Sequence, residues 1–241
     1  IPASLSYGYA GGSETLVRFL TEHIETIHDP PYSNWEVFLN IGSTSAIEHA
    51  FRMFCTRGDH ILVEEYTYSG TLEAMEPLGL RAATVKMDEQ GISAKDLDSV
   101  LSHWNESERG SAKPFLLYTI PTGHNPTGVS QTFQRREDIY QVAEKHNLLV
   151  IEDDPYYYLQ FATQEATRES RLSKHSSDLD SYIGSLLPSY LSLDVSGRVI
   201  RLDSTSITLG PGLRCRSVTT NSEIASKIPN HYDVRGVCSS V

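Results

Sequence analysis

Hydrophobic residues near the start of the chain recur at intervals of three and four positions. They are Leu16, Phe19, Leu20, Ile24 and Ile27. This spacing is typical of one face of an α-helix. The Asp29-Pro30-Pro31 segment that follows predicts the end of the helix, because proline cannot continue it.

Short apolar runs alternate with helical patterns along the remainder of the chain. The runs that predict strands are Val37–Asn40, His60–Glu64, Ala82–Lys86, Phe115–Thr119, Leu148–Glu152, Arg198–Leu202 and roughly Arg214–Thr219. The patterns that predict helices are Ser45–Phe54, Tyr68–Met75, Ala94–Ser102, Gln131–His146 and Asn221–Ile228. This alternation predicts an α/β fold with a seven-stranded, mostly parallel sheet. The strand runs are continuous rather than alternating, which is typical of strands covered by helices on both faces.

Two polar stretches interrupt this pattern. Trp104–Lys113 predicts a surface loop, and Ala162–Asp180, which is rich in Ser, Arg, Glu and Asp, predicts a mobile excursion. No internal repeat and no low-complexity linker divides the sequence. We therefore predict one domain over residues 1–241.

Composition argues against several classes of function. The chain has 20 basic and 31 acidic residues and a net charge of −11, so it lacks the basic surface that non-specific nucleic-acid binding requires. Its apolar runs are too short to predict a transmembrane helix, and no basic run predicts a membrane-binding patch. The three cysteines show neither metal-ligand spacing nor an even number, which indicates a reducing, cytoplasmic location and no metal site. No signal peptide opens the sequence, and Ile1 indicates a trimmed or incomplete N-terminus.

Ligands of open α/β sheets bind at the carboxyl ends of strands, where four loops of this sequence have unusual compositions. The first, Gly42-Ser43-Thr44-Ser45, precedes a predicted helix, and its hydroxyl and N–H groups favour an anion site. An ordinary N-cap is the alternative interpretation. The second, Pro121–Gly128, contains two prolines and two glycines, which indicates a fixed loop path that holds Asn125. An ordinary turn is the alternative there.

The other two loops carry carboxylates and hydroxyls. The side chains of Glu152-Asp153-Asp154 would repel one another unless a cation lies nearby, and a protonated ring nitrogen would serve. A solvated strand end is the alternative. In the last loop, the hydroxyls of Ser204 and Ser206 and the guanidinium of Arg214 could hold a phosphate by charge-assisted hydrogen bonds. A serine-rich turn with a surface arginine is the alternative.

In this order and spacing, the four loops resemble those of the class I and II aminotransferases of fold type I. The nearest likeness is to the fungal aromatic amino acid and kynurenine/2-aminoadipate branch, from about residue 5 to about residue 233. The resemblance implies that the seven strands form the large domain, which binds pyridoxal phosphate. It also implies that the family's small C-terminal domain, which supplies a substrate-binding arginine, is absent from this chain and leaves a wider pocket.

The resemblance implies roles for individual residues as well. Asp153 matches the aspartate that pairs with the pyridine nitrogen, and Tyr156 and Asn125 match the residues that bond the phenolic oxygen. Tyr68 matches the aromatic residue that stacks on the ring. The residues that match the phosphate-binding cup are Ser43, Thr44, Ser204, Ser206 and Arg214. Tyr7 matches a tyrosine that reaches the phosphate of the partner subunit, so the resemblance predicts a homodimer.

The sequence departs from the family at the residue that binds the cofactor covalently. The family's Schiff-base lysine follows the second serine of a Ser-x-Ser-Lys motif, and this position is Ile207 here. The interval from Ile207 to Arg214 is the family's, so a slipped alignment does not restore the lysine. None of the lysines lies beside a matched loop end; they are Lys86, Lys95, Lys113, Lys145, Lys174 and Lys227. Because the family lysine carries the cofactor and then moves a proton at the substrate, the resemblance predicts that this chain does not transaminate.

Three functions remain open on the sequence alone. The first, which the sequence favours over the other two, is a repurposed biosynthetic enzyme of secondary metabolism that uses acid–base, isomerisation or cyclisation chemistry without a Schiff base. Its cleft would be lined by Tyr68, His124, Asn125, Asp153 and Tyr156, with Asp153, Tyr156 and His124 as catalytic candidates. The second is a non-catalytic or regulatory protein that binds pyridoxal phosphate non-covalently, if it binds it at all. The third is an aminotransferase whose lysine was mutated. A small-molecule ligand is expected in the first two.

Overall fold

The main sheet has seven strands in the order β1-β9-β8-β7-β6-β2-β3. The computed structural model describes residues 12–40, 42–160, 178–213 and 215–227. The strands are β1 (Trp35–Asn40), β2 (His60–Glu64), β3 (Arg81–Val85), β6 (Leu116–Thr119), β7 (Leu149–Asp153), β8 (Val199–Ser204) and β9 (Arg216–Asn221). β9 is antiparallel to both of its neighbours, and the other six strands are parallel to one another.

The helices lie on both faces of this sheet. They are α1 (Glu14–Ile27), α2 (Ser43–Phe54), α3 (Ser69–Met75), α4 (Ala94–Ser102), α5 (Glu106–Arg109), α6 (Phe133–His146), α7 (Asp178–Ile183), α8 (Tyr190–Leu193), α9 (Thr205–Thr208) and α10 (Ser222–Ala225). Both the α/β class and the seven-stranded, mostly parallel sheet predicted from the sequence are confirmed. Each predicted strand lies within two residues of an observed one at either end.

Some local predictions were wrong. Within the predicted loop Trp104–Lys113, α5 forms a single turn, and the Asn105 side chain caps it by accepting hydrogen bonds from the next backbone N–H groups. The short strands β4 (Met87–Asp88) and β5 (Gly91–Ile92) form a separate hairpin that the pattern did not predict. Most of the predicted excursion lies outside the described residues, and its last three residues, 178–180, begin α7.

The continuous strand runs fill two hydrophobic layers, one on each face of the sheet. In β2, for example, Ile61 and Val63 pack in one layer, together with α2 and α3. Leu62, between them, packs in the other layer, with α4 and α6. Successive strand residues point to opposite faces, so a strand that is buried on both sides needs an unbroken apolar run.

The sheet topology brings the site together at one edge. The carboxyl ends of the six parallel strands share that edge. β9 runs in the opposite direction, so its first residue, Arg216, lies at this edge too, opposite Asn40 of β1 and Ser204 of β8. The antiparallel strand therefore places a guanidinium among the loops that follow the parallel strands.

A buried histidine links α1 to the rest of the fold. The imidazole of His28 is 2.9 Å from the Ser189 hydroxyl through Nδ1 and packs against the Tyr157 ring. Burial, reinforced by the positive charge of Arg201, lowers the pKa of His28 well below its usual 6.5. The folded protein therefore holds this imidazole neutral.

We expect this histidine to make the folded protein sensitive to acid. Below about pH 6.5 the unfolded chain takes up a proton that the folded chain excludes, so the unfolding free energy falls as the pH falls, by at most about 1.4 kcal/mol per pH unit. His28→Asn, which retains a hydrogen-bonding group for Ser189, should reduce the loss between about pH 7.5 and about pH 5.5 by about 1 kcal/mol. Urea unfolding at both pH values measures this, and an equal loss in both proteins would contradict it.

Candidate functional site

A cavity of about 320 Å³ opens at the carboxyl edge of the sheet. Its walls are formed by Thr44, Tyr68, Ile120, Asn125, Asp153, Pro155, Tyr156, Ser204, Ser206 and Ile207. They follow β1, β2, β6, β7 and β8, or lie at the ends of those strands. Chain segments far apart in sequence thus meet at one place because their strands are parallel.

The structure brings together eight of the residues that the resemblance singled out. They are Thr44, Tyr68, Asn125, Asp153, Tyr156, Ser204, Ser206 and Ile207. Ser43 begins α2, next to Thr44. Tyr7 and Arg214 lie outside the described residues. The roles that the resemblance implies for all of these residues stay predictions.

His124, which the sequence placed in the lining of a cleft, is not among the residues that line this cavity. Its side chain is almost completely buried, and its Nε2 lies 2.9 Å from the Glu64 carboxylate. The Thr127 hydroxyl lies 2.9 Å from Nδ1 on the other side of the ring. With both ring nitrogens engaged, His124 anchors the loop in which the next residue, Asn125, reaches the cavity wall.

Glu64 is a site-forming residue that sequence reasoning missed. Its buried carboxylate also accepts hydrogen bonds from the Thr119 hydroxyl at 2.8 Å and from the backbone N–H of Ile120 at 3.1 Å. It thereby ties the end of β2 to the end of β6 and to the loop of His124. A charged residue that ends an apolar strand run was the one available signal, because such a residue needs buried partners.

Tyr68 owes its position to a glycine. It precedes α3, and a Cβ atom on Gly70 would lie 2.4 Å from Cε1 of the Tyr68 ring. Only a residue without a side chain leaves room for the ring against the first turn of α3. The ring consequently forms one wall of the cavity.

The three carboxylates at the end of β7 divide between the two faces of the sheet. Asp153 faces the cavity, where Arg216 donates to Oδ1 and the Tyr118 hydroxyl donates to Oδ2 at 2.7 Å. Arg216 is fully buried. The expectation of a cation beside these carboxylates is met by the protein's own arginines, and the alternative of a solvated strand end is wrong.

On the other face, Arg201 lies beside the two remaining carboxylates, those of Glu152 and Asp154. Its guanidinium lies 2.9 Å from Glu152 and 3.7 Å from Asp154, and it donates two hydrogen bonds to Asp203. Glu152 in turn accepts the backbone N–H of Tyr190 at the start of α8. Burial raises the pKa of Asp154 to about 7, although Arg201 opposes the shift.

The residues after β8 form the remaining wall. The Ser204 side chain accepts a hydrogen bond from the backbone N–H of Ser206 at 3.2 Å, as a cap of the short helix α9. Ile207 follows in the same helix, is half exposed and lines the cavity. Among the described residues, no lysine lines this cavity. The site therefore offers hydroxyls, an amide and aromatic faces, but neither a primary amine nor an unpaired carboxylate.

No group of three or more His, Cys, Asp or Glu side chains in residues 12–40, 42–160, 178–213 and 215–227 is arranged to hold a metal ion. Every helix in the described part of the chain is too short or too polar to span a bilayer.

Comparison with known proteins identifies relatives over nearly the whole chain. The family described as aminotransferase class I and II matches residues 3–228. The aminotransferase swnA of Arthroderma benhamiae is 46% identical over 97% of this chain and 47% of its own length. An aromatic amino acid aminotransferase of Schizosaccharomyces pombe is 42% identical over 89% of this chain and 45% of its own length. The crystal structure of aminotransferase Aro8 from Candida albicans superimposes with a TM-score of 0.87 at 40% identity, over 98% of this chain and 49% of that one. The chain thus spans about half the length of the relatives that it matches.

We expect Arg216 and Asp153 to be strongly coupled in stability. Arg216→Met leaves a buried carboxylate without its cation and should lower the unfolding free energy by about 3–5 kcal/mol. The double variant Arg216→Met/Asp153→Asn removes both charges and should recover most of that loss, because Tyr118 still has an oxygen to donate to. Urea unfolding measures each value. Exposed Arg18→Met is the control, expected within about 0.5 kcal/mol of the parent protein. Equal losses in the single and double variants would contradict the coupling.

Proposed function

Because this chain belongs to the class I and II aminotransferase family, we propose that its cavity binds pyridoxal phosphate without a covalent link and that the chain does not transaminate. One observation carries the proposal. Ile207, a branched hydrocarbon, occupies the cavity wall at the position that the family resemblance assigns to lysine. The proposal concerns the cavity of this chain, which spans about half the length of its relatives.

The residues present fit most of the cofactor. The hydroxyls of Thr44, Ser204 and Ser206 suit a phosphate, since each offers a hydrogen-bond donor. The Tyr68 ring suits an aromatic face. The side chains of Asn125 and Tyr156 suit a phenolic oxygen, and a cavity of about 320 Å³ is within the usual range for small-molecule sites.

The cavity lacks one particular chemical group that transamination needs, a primary amine. When bound, pyridoxal phosphate supplies an electron sink for chemistry at the α-carbon of an amino acid. Transamination also needs a protein amine that carries the cofactor and then moves the proton at that carbon. The Ile207 side chain has no atom that can form the link or accept a proton. Loss of acid–base catalysis alone typically costs about 10²–10⁴ in rate.

The hypothesis of a repurposed enzyme receives less support from the geometry. It named Asp153, Tyr156 and His124 as catalytic candidates, of which Asp153 and Tyr156 line the cavity. His124 is enclosed between Glu64 and Thr127 outside the cavity wall, and both oxygens of Asp153 already accept hydrogen bonds. Non-covalent binding needs no free base, so it is the function that the cavity supports best.

We expect purified protein to bind added pyridoxal phosphate reversibly. Isothermal titration should detect binding, and gel filtration should remove the ligand. Borohydride added after gel filtration has removed the free ligand should leave no adduct on the protein, because no amine lies in the cavity wall to retain the ligand. An amino-acid/2-oxoacid assay should show no product above the background of free cofactor. A borohydride-stable adduct on any lysine of the unmodified chain would contradict the proposal.

Restoring the amine provides the matched test. Ile207→Lys should yield a borohydride-stable adduct at position 207, detected by peptide mass mapping. Leu209→Lys is the control, because Leu209 is 76% exposed on the same segment and is not part of the cavity wall. It should yield no adduct. Labelling at both positions, or at neither, would show that position 207 does not face the bound ligand.

The Tyr68 wall yields a separate prediction. Gly70→Ala should displace the ring, because the new Cβ would overlap it. Loss of aromatic stacking should weaken pyridoxal phosphate binding about three- to tenfold. Leu72→Ala, on the exposed side of the same helix, should leave the affinity unchanged. Titration calorimetry compares the three proteins, and equal affinities for Gly70→Ala and its parent would exclude a stacking role for Tyr68.

A further inference from the structure

We propose that Arg216 makes the Asp153 end of the cavity selective for a ligand with an uncharged ring edge, so that bound pyridoxal phosphate keeps its ring nitrogen unprotonated. The inference rests on the proposed function, because it concerns the same ligand in the same cavity. It reverses the role that the family resemblance implies for Asp153, which is to pair with a protonated ring nitrogen.

Both oxygens of Asp153 already accept a hydrogen bond from the protein. Its Oδ1 accepts from Arg216 and its Oδ2 accepts from the Tyr118 hydroxyl at 2.7 Å. The side chain is nearly buried, with 5% of its surface exposed. A protonated ring nitrogen would share one of these oxygens with a donor that is already bound, and the carboxylate that it met would already be paired with a cation.

The charge balance points the same way. A lone carboxylate stabilises a nearby cation, but a guanidinium is charged at every accessible pH and already neutralises Asp153. The Tyr118 hydroxyl adds no negative charge, because burial and the Asp153 carboxylate raise its pKa well above the usual value. A ligand cation at this end would therefore meet a neutral pair and the positive charge of Arg216 behind it.

Arg216 cannot easily turn away from Asp153. It is the first residue of β9, where it pairs with β1 on one side and β8 on the other, and its Nη2 also donates to the Leu202 carbonyl at 3.3 Å. The carboxylates of Glu152 and Asp154 lie with Arg201 on the opposite face. If the Arg216 side chain moved away from Asp153, two buried charges would lose their partners, and an unpaired buried charge is strongly unfavourable.

The remaining donors of Arg216 also disfavour a protonated ring. Its Nε and Nη1 have no hydrogen-bond acceptor within the described part of the chain. The cluster thus has more donors than acceptors. Among the described residues, Asp153 is the one carboxylate that pairs with Arg216, so no second acidic group offsets the positive charge behind the cavity wall.

The test uses the unmodified protein and four phosphate-bearing probes. They are pyridoxal phosphate, its analogue with C–H in place of the ring nitrogen, the N-methylpyridinium analogue, and the uncharged analogue with a methyl group on carbon at that position. The last two have the same shape and differ in charge. We expect the N-methylpyridinium probe to bind at least about tenfold more weakly than its uncharged counterpart, because like charges repel at a desolvated site. Titration calorimetry measures the ratio, and equal or tighter binding of the cation would overturn the inference.

A spectroscopic readout tests the same point without any affinity comparison. Pyridoxal phosphate labelled with ¹⁵N in the ring should show the chemical shift of the unprotonated nitrogen when bound, at every pH where the protein is folded. The shift of a protonated nitrogen would contradict the inference. If pyridoxal phosphate does not bind at all, the proposed function is wrong and the inference falls with it; binding with a protonated nitrogen overturns the inference alone.

Two variants assign the effect to Arg216. Arg216→Met leaves Asp153 as an unpaired carboxylate and should reverse the preference, so that the N-methylpyridinium probe binds more tightly than its uncharged counterpart. Arg216→Met/Asp153→Asn should remove the preference. An unchanged preference in both variants would exclude Arg216 as its source. Should Arg216→Met not fold, the unmodified protein and the double variant still decide the question.

Discussion

Three consecutive carboxylates end the central strand β7, and the carboxyl edge of the sheet depends on the arginines that neutralise them. Glu152, Asp153 and Asp154 are all buried. An unpaired buried charge costs several kcal/mol, so each carboxylate needs a cation or several N–H donors. Strand alternation sends Asp153 to one face and the other two to the opposite face. Arg216 pairs with Asp153 on one face, and Arg201 pairs with Glu152 on the other. Arg201 lies farther from Asp154, and burial raises the pKa of that carboxyl group to about 7.

The two arginines therefore have different roles: one joins elements of the fold, and the other pairs with a residue of the cavity wall. Arg201 joins β7, β8 and, through Glu152, the first turn of α8. Arg216 instead determines what the cavity presents to a ligand, since its partner Asp153 is part of the cavity wall. Removal of Arg201 and Glu152 would loosen the edge of the sheet. Removal of Arg216 would instead change the charge beside Asp153 in the cavity wall.

In the proposed function, the cavity differs from a transaminating site at two points, where the ring of a bound cofactor would otherwise meet an amine and an unpaired carboxylate. Ile207 removes the amine from one wall, and Arg216 removes the free carboxylate from another. The hydroxyl and aromatic walls do not depend on either change. A site altered in this way suits recognition of a phosphate-bearing ring better than proton transfer at carbon, which is why binding rather than acid–base catalysis is the proposed function.

The sheet, the order of its loops and the hydrocarbon at position 207 could all be predicted from the amino-acid sequence. Continuous apolar runs such as His60–Glu64 report burial on both faces, and this is a local property of the chain. The partners of the charged residues, in contrast, become visible only in the folded chain. His124 and Arg216 find their partners Glu64 and Asp153 about sixty residues away in sequence. Those pairings depend on strand order and on the antiparallel direction of β9, and no local pattern of hydrophobic and polar residues encodes which strands become neighbours.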